Sequence, residues 1–147
     1  MAVTISRYNH TVKKLLNKEI DYTTLKMMLL NNSATFTATN TTLDQVAGAN
    51  TPPRANEVSG NGWTTGGIAL ASVTVAIATT NDANIDATDI SVTATGGSIG
   101  PAYKAVIYDD TGDVPLWFID FGQVEEAGET TDFKFIFNAA GIFATSD

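Results

Sequence analysis

The stretch YKAVIYDDTGDVPLWFIDF at residues 103–121 decides the predicted fold. It contains two runs of about six residues, each with large apolar side chains on both alternate faces. A turn rich in aspartate and glycine joins them. Strands that are apolar on both faces are covered by other parts of the protein on both sides. We therefore predict that Tyr103–Tyr108 and Leu116–Phe121 are central strands.

Two further segments add apolar strands to this centre. Residues 133–137 read FKFIF and place three rings on one face, and residues 139–143 are predicted to close the core. Leu25–Leu30 is short and entirely apolar apart from one lysine, so we predict a buried strand, although Leu and Met also suit a helix.

Between these segments, the chain alternates apolar with small or hydroxyl residues. The alternation changes parity between Leu70 and Val73, which indicates a bulge or a corner. Residues 79–84 read TTNDAN and are predicted to form a turn. We expect the strands on either side, within residues 68–77 and 90–94, to form a hairpin.

The N-terminal part has a different pattern. Tyr8, Val12, Leu15 and Leu16 recur at helical spacing, and Ser6 stands where an N-cap could lie, so a short amphipathic helix is predicted over residues 6–18. Residues 31–59 contain almost no bulky apolar residue and are predicted to form a long extended loop. That loop could be an arm that contacts neighbouring molecules or a plain excursion of the chain.

These elements together predict the fold class. Short strands joined by turns, without repeating helices, are typical of an all-β antiparallel sandwich, here jelly-roll-like. At 147 residues the chain fits a single domain over residues 1–147. The short helix and the long loop are additions to that domain.

Residue types that carry chemistry are scarce. The chain has one histidine, His10, and no cysteine. Most metal sites and nucleophilic centres need histidine, cysteine or clustered carboxylates. We therefore predict a structural or binding protein without catalytic residues, cofactor or metal, and His10 is expected to be a polar surface or interface residue.

The turn between the two central strands is rich in acidic residues. Asp109, Asp110 and Asp113 crowd the turn between the central strands, where carboxylates could bind calcium. Their spacing is not that of an EF-hand loop, and the same residues are ordinary in hairpin turns. The triplet Asp-Thr-Gly within them also occurs in aspartic proteases, but that chemistry needs two such loops facing each other. We favour the plain turn.

Charge bears on possible partners. The formal net charge of −8 argues against binding to nucleic acid. Residues 1–60 hold six of the eight basic residues and carry about +2, so residues 61–147 carry about −10. Either this charge merely keeps the protein soluble, or a basic end docks on an acidic surface. The candidate partner-binding residues are Arg7, Lys13, Lys14, Lys18, Arg54 and Trp63.

Trp63 is included because it follows a glycine-rich bend. If it is exposed, it could stack on a sugar ring, and if it is buried, it is a core or interface anchor. No apolar stretch approaches the ~20 residues that cross a bilayer, so no membrane partner is predicted.

Several stretches resemble a family of small virion proteins of tailed bacteriophages. They are LNKEIDY at 16–22, LKMML at 25–29, NEVSGNGWTTGG at 56–67, AVIYDD at 105–110, FIDFG at 118–122 and NAAGI at 138–142. The resemblance implies a non-enzymatic structural protein of the virion, assembled in the cytoplasm of a bacterial host.

Within such a family, a capsid decoration, or cement, protein is the function that the resemblance favours. The implied partners are the major capsid protein and copies of the chain itself, in a homo-oligomer that could be a trimer. The alternative is a tail or fibre-associated module that binds host glycan or other tail proteins. A hydrolase is a third class with little support.

Overall fold

The protein has an all-β fold, as predicted, in a computed structural model that describes residues 2–46, 48, 50–79 and 82–144. Every strand pair among these residues is antiparallel. Single turns of 3-10 helix lie at Tyr22–Thr24 and Arg54–Asn56. In chain order the other elements are β1 (Thr4–Arg7), α1 (Thr11–Leu16), β2 (Leu25–Leu30), β3 (Glu57–Val58), β4 (Ile68–Ala69), β5 (Thr74–Thr79), β6 (Asp82–Asp86), β7 (Ile90–Thr93), β8 (Ile99–Asp109), β9 (Val114–Ala127), β10 (Asp132–Phe135) and β11 (Phe143–Ala144).

The largest sheet that the described residues form, which we call the central sheet, contains six strands. Its order is β1-β9-β8-β2-β3, and β4 pairs with β2 beside β3. The long strands β8 and β9 form a hairpin in the middle, which confirms the two central strands predicted from residues 103–121. The strand predicted at Leu25–Leu30 is also confirmed, because these residues form β2 against β8.

The two faces of the central sheet bury different side chains. Along β8, Ala105 and Ile107 face one side while Val106 and Tyr108 face the other, and all four are fully buried. The main core lies on the first side and includes Leu25, Met27, Leu29, Trp63, Ile85, Ile90, Ile107, Trp117, Ile119 and Phe133. The second core lies on the opposite side and consists of Tyr8, Met28, Leu30, Ala34, Leu43, Val106, Tyr108 and Phe118.

Two smaller sheets cover the main core. β7 pairs with β10, and β5, β6 and β11 form a three-stranded sheet in the order β11-β6-β5. The resulting layers are sandwich-like, whereas jelly-roll connectivity stays a prediction. The rings of the FKFIF segment take part as expected, with Phe133 and Phe137 buried and Phe135 half-buried.

The predicted hairpin between residues 68–77 and 90–94 is wrong. The expected corner is present at Ser72, whose φ is 52°, and there the chain leaves the central sheet. β5 then pairs with β6, and β7 pairs with β10 about forty residues later, where Phe133 lies opposite Val92. Burial of the Phe133 ring decides this distant pairing. Residues 80 and 81 of the predicted turn lie outside the described residues, and Asp82 already begins β6.

The N-terminal helix is shorter than predicted. Of residues 6–18 only Thr11–Leu16 are helical, because Thr4–Arg7 pair with β9 as a strand. Ser6 therefore lies in the strand and is not the N-cap. The helix is attached at its start by the Thr11 hydroxyl, which donates to the Leu116 carbonyl at 2.8 Å.

The described residues of the predicted loop over residues 31–59 pack against the protein and do not extend as an arm. Its last residues form β3, and its described part covers the second core with the buried side chains of Ala34 and Leu43. The Leu43 N–H donates to the Asp113 carbonyl at 3.0 Å, and the Arg54 N–H donates to the Leu43 carbonyl at 3.3 Å. A few buried residues are enough to hold a polar segment in place when backbone groups also find partners.

Candidate interaction surface

The first strand forms one edge of the central sheet. In the described part of the chain, β1 pairs with β9 alone, with Ile5 opposite Ile119 and Arg7 opposite Trp117. Since side chains alternate along a strand, Val3, Ile5 and Arg7 all face the side of the main core. Val3 and Ile5 nevertheless remain about half exposed. This edge thus offers apolar side chains and one unpaired strand side to a partner.

A groove of about 560 Å³ runs along this edge, and we call it the edge groove. Val3 and Ile5 form one wall, and residues of the segment 133–142 form the other. The Phe135 ring lies in the second wall, packed against Phe121 and Phe137 with centroid distances of 6.0 and 5.1 Å. An open apolar groove beside an unpaired strand edge is suited to bind an extended segment of protein.

A smaller apolar groove of about 190 Å³ lies between α1 and the β5–β6 hairpin. It is lined by Leu15, Leu16, Tyr22, Val75, Ala83, Asn84, Ile85 and Phe143. Leu16 and Val75 are exposed there, and Ile77 on the same hairpin is 82% exposed. Because Ile142 lines the edge groove and Phe143 lines this one, the two grooves are neighbours.

Several basic side chains lie near these two grooves. Arg7, Lys13 and Lys18 have no carboxylate within 4.0 Å among the residues that the structure describes, whereas Lys14 pairs with Glu19 at 3.4 Å. The Arg7 guanidinium instead lies 5.2 Å from the centroid of the Phe143 ring, a cation–π contact. The predicted basic residues near the N-terminus therefore gather around β1 and α1. Their role in partner binding stays a prediction.

Arg54, another predicted partner-binding residue, is engaged within the protein. Its guanidinium contacts Asp113 and lies 3.4 Å from Asp44. Burial alone would lower the pKa of Arg54, but these two carboxylates raise it above its ordinary value. Arg54 ties the segment over the second core to the β8–β9 turn, and its role in partner binding stays a prediction.

The Trp63 side chain is buried inside the protein. Only 1% of its surface is exposed, and its ring meets Phe133 edge-to-face in the main core. The prediction of a partner contact through Trp63 is therefore wrong, and the alternative that it is a core anchor is confirmed. Trp117 is equally buried.

Each of the three aspartates of the β8–β9 turn has its own set of contacts within the protein. Asp110 pairs with Lys26 at 2.7 Å, and Asp113 contacts Arg54. Asp109 is buried, and its carboxylate accepts hydrogen bonds from the Asp21 N–H at 3.0 Å, the Thr111 N–H at 2.9 Å and the Thr24 hydroxyl at 2.8 Å. Their carboxylates therefore serve the turn itself.

The pKa of Asp109 reflects this arrangement. Burial opposes ionisation, but the hydrogen bonds favour the carboxylate more strongly and lower its pKa below 3.8. Within the described ranges, no three His, Cys, Asp or Glu side chains lie close enough together to hold a metal ion.

The His10 side chain makes a hydrogen bond that fixes the local structure. Its Nε2 lies 2.7 Å from the Pro115 carbonyl, which requires the proton on that nitrogen. Burial lowers the pKa of His10, so the neutral form is favoured at pH 7. The imidazole therefore fastens the start of α1 to the start of β9.

Sequence reasoning missed the edge strand and its groove. The signal was present, since Val3 and Ile5 alternate with Thr4 and Ser6 at the period of a strand. Four residues give a weak pattern, and the overlapping helical spacing from Tyr8 onward obscured it.

Comparison with protein-family profiles, with curated protein sequences and with solved structures found no match to this chain. In the described part of the chain, no helix is long and apolar enough to span a membrane.

Proposed function

We propose that the protein is a non-enzymatic structural subunit of a bacteriophage particle, most simply a capsid decoration protein that bridges major-capsid subunits. The resemblance of its sequence blocks to small virion proteins supports the class of protein. The observation that carries a binding role is the edge groove, an exposed apolar strand edge beside basic residues that have no carboxylate partner in the described part of the chain.

The mechanism is non-covalent bridging. A subunit that contacts two or more neighbours must be detached from each before those neighbours can separate. Specific interfaces bury about 1,600 Å² in total, and many modest contacts on one particle act together through multivalency. The edge groove and the smaller groove beside α1 provide two adjacent contact areas for this purpose.

The alternative of a tail module that binds host glycan has less support. Stacking on a sugar ring needs an exposed aromatic face. Both tryptophans are buried in the main core, so neither offers that face. His10 bonds to the Pro115 carbonyl, and we assign it no part in catalysis.

Copy number on purified phage particles tests the proposed function. Quantitative mass spectrometry is expected to find hundreds of copies per particle, in fractions that contain heads. A small symmetry-related number, in fractions that contain tails, would favour the alternative. Absence of the protein from particles would refute both.

A charge variant tests the basic surface on the same particles. Replacing Lys13 and Lys18 by glutamine is expected to lower occupancy, because solvated charges matter more to docking than to folding. The matched control replaces Thr39 and Thr42, exposed residues elsewhere, by glutamate and changes the net charge by the same amount. Equal occupancy of the two variants would remove the basic surface from the proposed mechanism.

A further inference from the structure

The turn before Trp63 contains the only Asn-Gly pair in the sequence, Asn61-Gly62. Gly60 and Trp63 exchange both backbone hydrogen bonds, at 2.8 and 3.0 Å, so the pair forms the two central residues of a tight turn. Their φ angles are 53° and 108°, and a type I′ turn requires positive φ at both positions. A Cβ at Gly62 would lie 2.7 Å from the Thr93 carbonyl oxygen. The fold therefore requires glycine after the asparagine.

An Asn-Gly pair is chemically reactive. The backbone nitrogen of the glycine attacks the side-chain carbonyl carbon of the asparagine and forms a succinimide ring. The side-chain nitrogen leaves as ammonia and takes the glycine N–H proton with it. Water then opens the ring at either carbonyl, which gives aspartate or isoaspartate. The net reaction consumes one water and replaces an amide by a carboxylate. Glycine is the best neighbour because it has no Cβ to hinder the attack.

The closed turn keeps the reacting groups apart. In a type I′ turn, the nitrogen of the second central residue points away from the side chain of the first. The Asn61 side chain is also held, since its Nδ2 donates to the Ser98 carbonyl at 2.7 Å. The Asn61 carbonyl accepts a hydrogen bond from the Thr95 N–H at 2.9 Å. The succinimide can therefore form only after the turn opens.

We propose that Asn61 is a site of spontaneous deamidation that reacts when the turn opens. Asn61 and Gly62 are exposed, so water reaches the pair without a further rearrangement. The product does not restore the closed turn, because a carboxylate has no proton to donate to the Ser98 carbonyl. Each reaction thus removes this contact permanently. The inference concerns the isolated chain and goes beyond the proposed function.

Peptide mapping by mass spectrometry tests the site in purified protein held at mildly alkaline pH. In guanidinium chloride, Asn61 is expected to lose its amide before any other asparagine. In the native protein the same product should form at least about tenfold more slowly, because only molecules with an open turn react. Earlier reaction of another asparagine in the unfolded chain, equal rates at Asn61 in both states, or no product in the native protein after months would overturn the inference.

Two glycine variants test whether the contact with Ser98 controls the reaction. Gly97→Ala would place a Cβ 2.9 Å from the Asn61 Nδ2 and 3.1 Å from its Cγ, so that side chain must leave Ser98. Gly96→Ala is the matched control, because its φ is also positive and no atom lies within 4 Å of its Cβ. Gly97→Ala is expected to raise the rate at least about threefold over that of Gly96→Ala. Equal rates in two folded variants would contradict control by this contact.

Asn61→Asp reproduces one product directly and keeps the inference testable if Gly97→Ala does not fold. It is expected to lower the midpoint of thermal unfolding, since the donor to the Ser98 carbonyl is lost. Asn138→Asp is the control, because it adds the same charge but keeps the oxygen that accepts the Ala140 N–H at 2.9 Å. Equal midpoints would show that the closed turn accommodates the product, against the inference. All of these measurements use the isolated protein, so their failure leaves the virion role standing.

Discussion

Replacing Phe133 by alanine tests whether one buried ring holds the β7–β10 sheet on the central sheet. Phe133 is 5% exposed, and its ring lies 5.4 Å from that of Trp63 at an interplanar angle of 68°. Truncation of a buried phenylalanine removes apolar burial and leaves a cavity, at a cost of about 3–5 kcal/mol. Since whole domains are stable by about 5–15 kcal/mol, the free energy of unfolding should fall by at least about a fifth.

Urea unfolding followed by tryptophan fluorescence measures this loss, because both tryptophans are buried in the main core. Phe135→Ala is the matched control, since that ring is half-buried and borders the open edge groove. It should cost about 1–2 kcal/mol. A loss below about 1 kcal/mol for Phe133→Ala, or a larger loss for Phe135→Ala, would refute the reasoning.

Three further predictions follow from the described contacts. Leu43→Ala should lower stability by about 2–5 kcal/mol in urea unfolding, because Leu43 is fully buried in the second core; an equal effect of the exposed control Val46→Ala would contradict this. Asp109→Asn should cost about 1–3 kcal/mol at pH 7. Because folding lowers the pKa of Asp109 below 3.8, its stabilisation is present above that pH and is lost as the pH falls through the lowered value, so the difference from wild type should shrink in acid. A constant difference in unfolding free energy across that range would refute the assignment. Gly67→Ala should leave little folded protein in a solubility and circular-dichroism assay, because its Cβ would lie 2.2 Å from a carbonyl oxygen of β2. Gly66→Ala has nearly the same positive φ, and its Cβ would make only an ordinary contact with the Tyr108 hydroxyl at 3.9 Å, so it should cost only about 1–2 kcal/mol; equal effects would show that φ alone decides.

The centre of the fold could be predicted from the sequence because its residues leave few alternatives. Residues 103–121 contain two short runs that are apolar on both faces. Only a sheet that packs against other parts of the protein on both faces buries all of these side chains. Leu25–Leu30 shares that property and joins the same sheet. The Asp-rich turn between the central strands was predictable as well, since its residues suit the turn itself.

The elements around the central strands could not be predicted, because their structure depends on contacts with residues far away in the sequence. The four residues of β1 are a strand only through their pairing with β9, more than a hundred positions later. Leu43 fixes the segment over the second core by filling a site that its own sequence does not reveal. Trp63 has the same local pattern whether it is buried or exposed. The candidate surface depends on these elements, so most of it was hidden from sequence reasoning.

The order of strands in the central sheet determines when each strand can find its partner during synthesis on the ribosome. β2 is complete at residue 30, yet its neighbour β8 ends at residue 109 and the partner of β1 ends at residue 127. At about 5–20 residues per second, the apolar residues of β2 wait roughly 4–16 s for β8 to be made. During that interval the nascent chain displays an uncovered strand to chaperones and to neighbouring chains, and the central sheet is complete only after residue 127 has been translated.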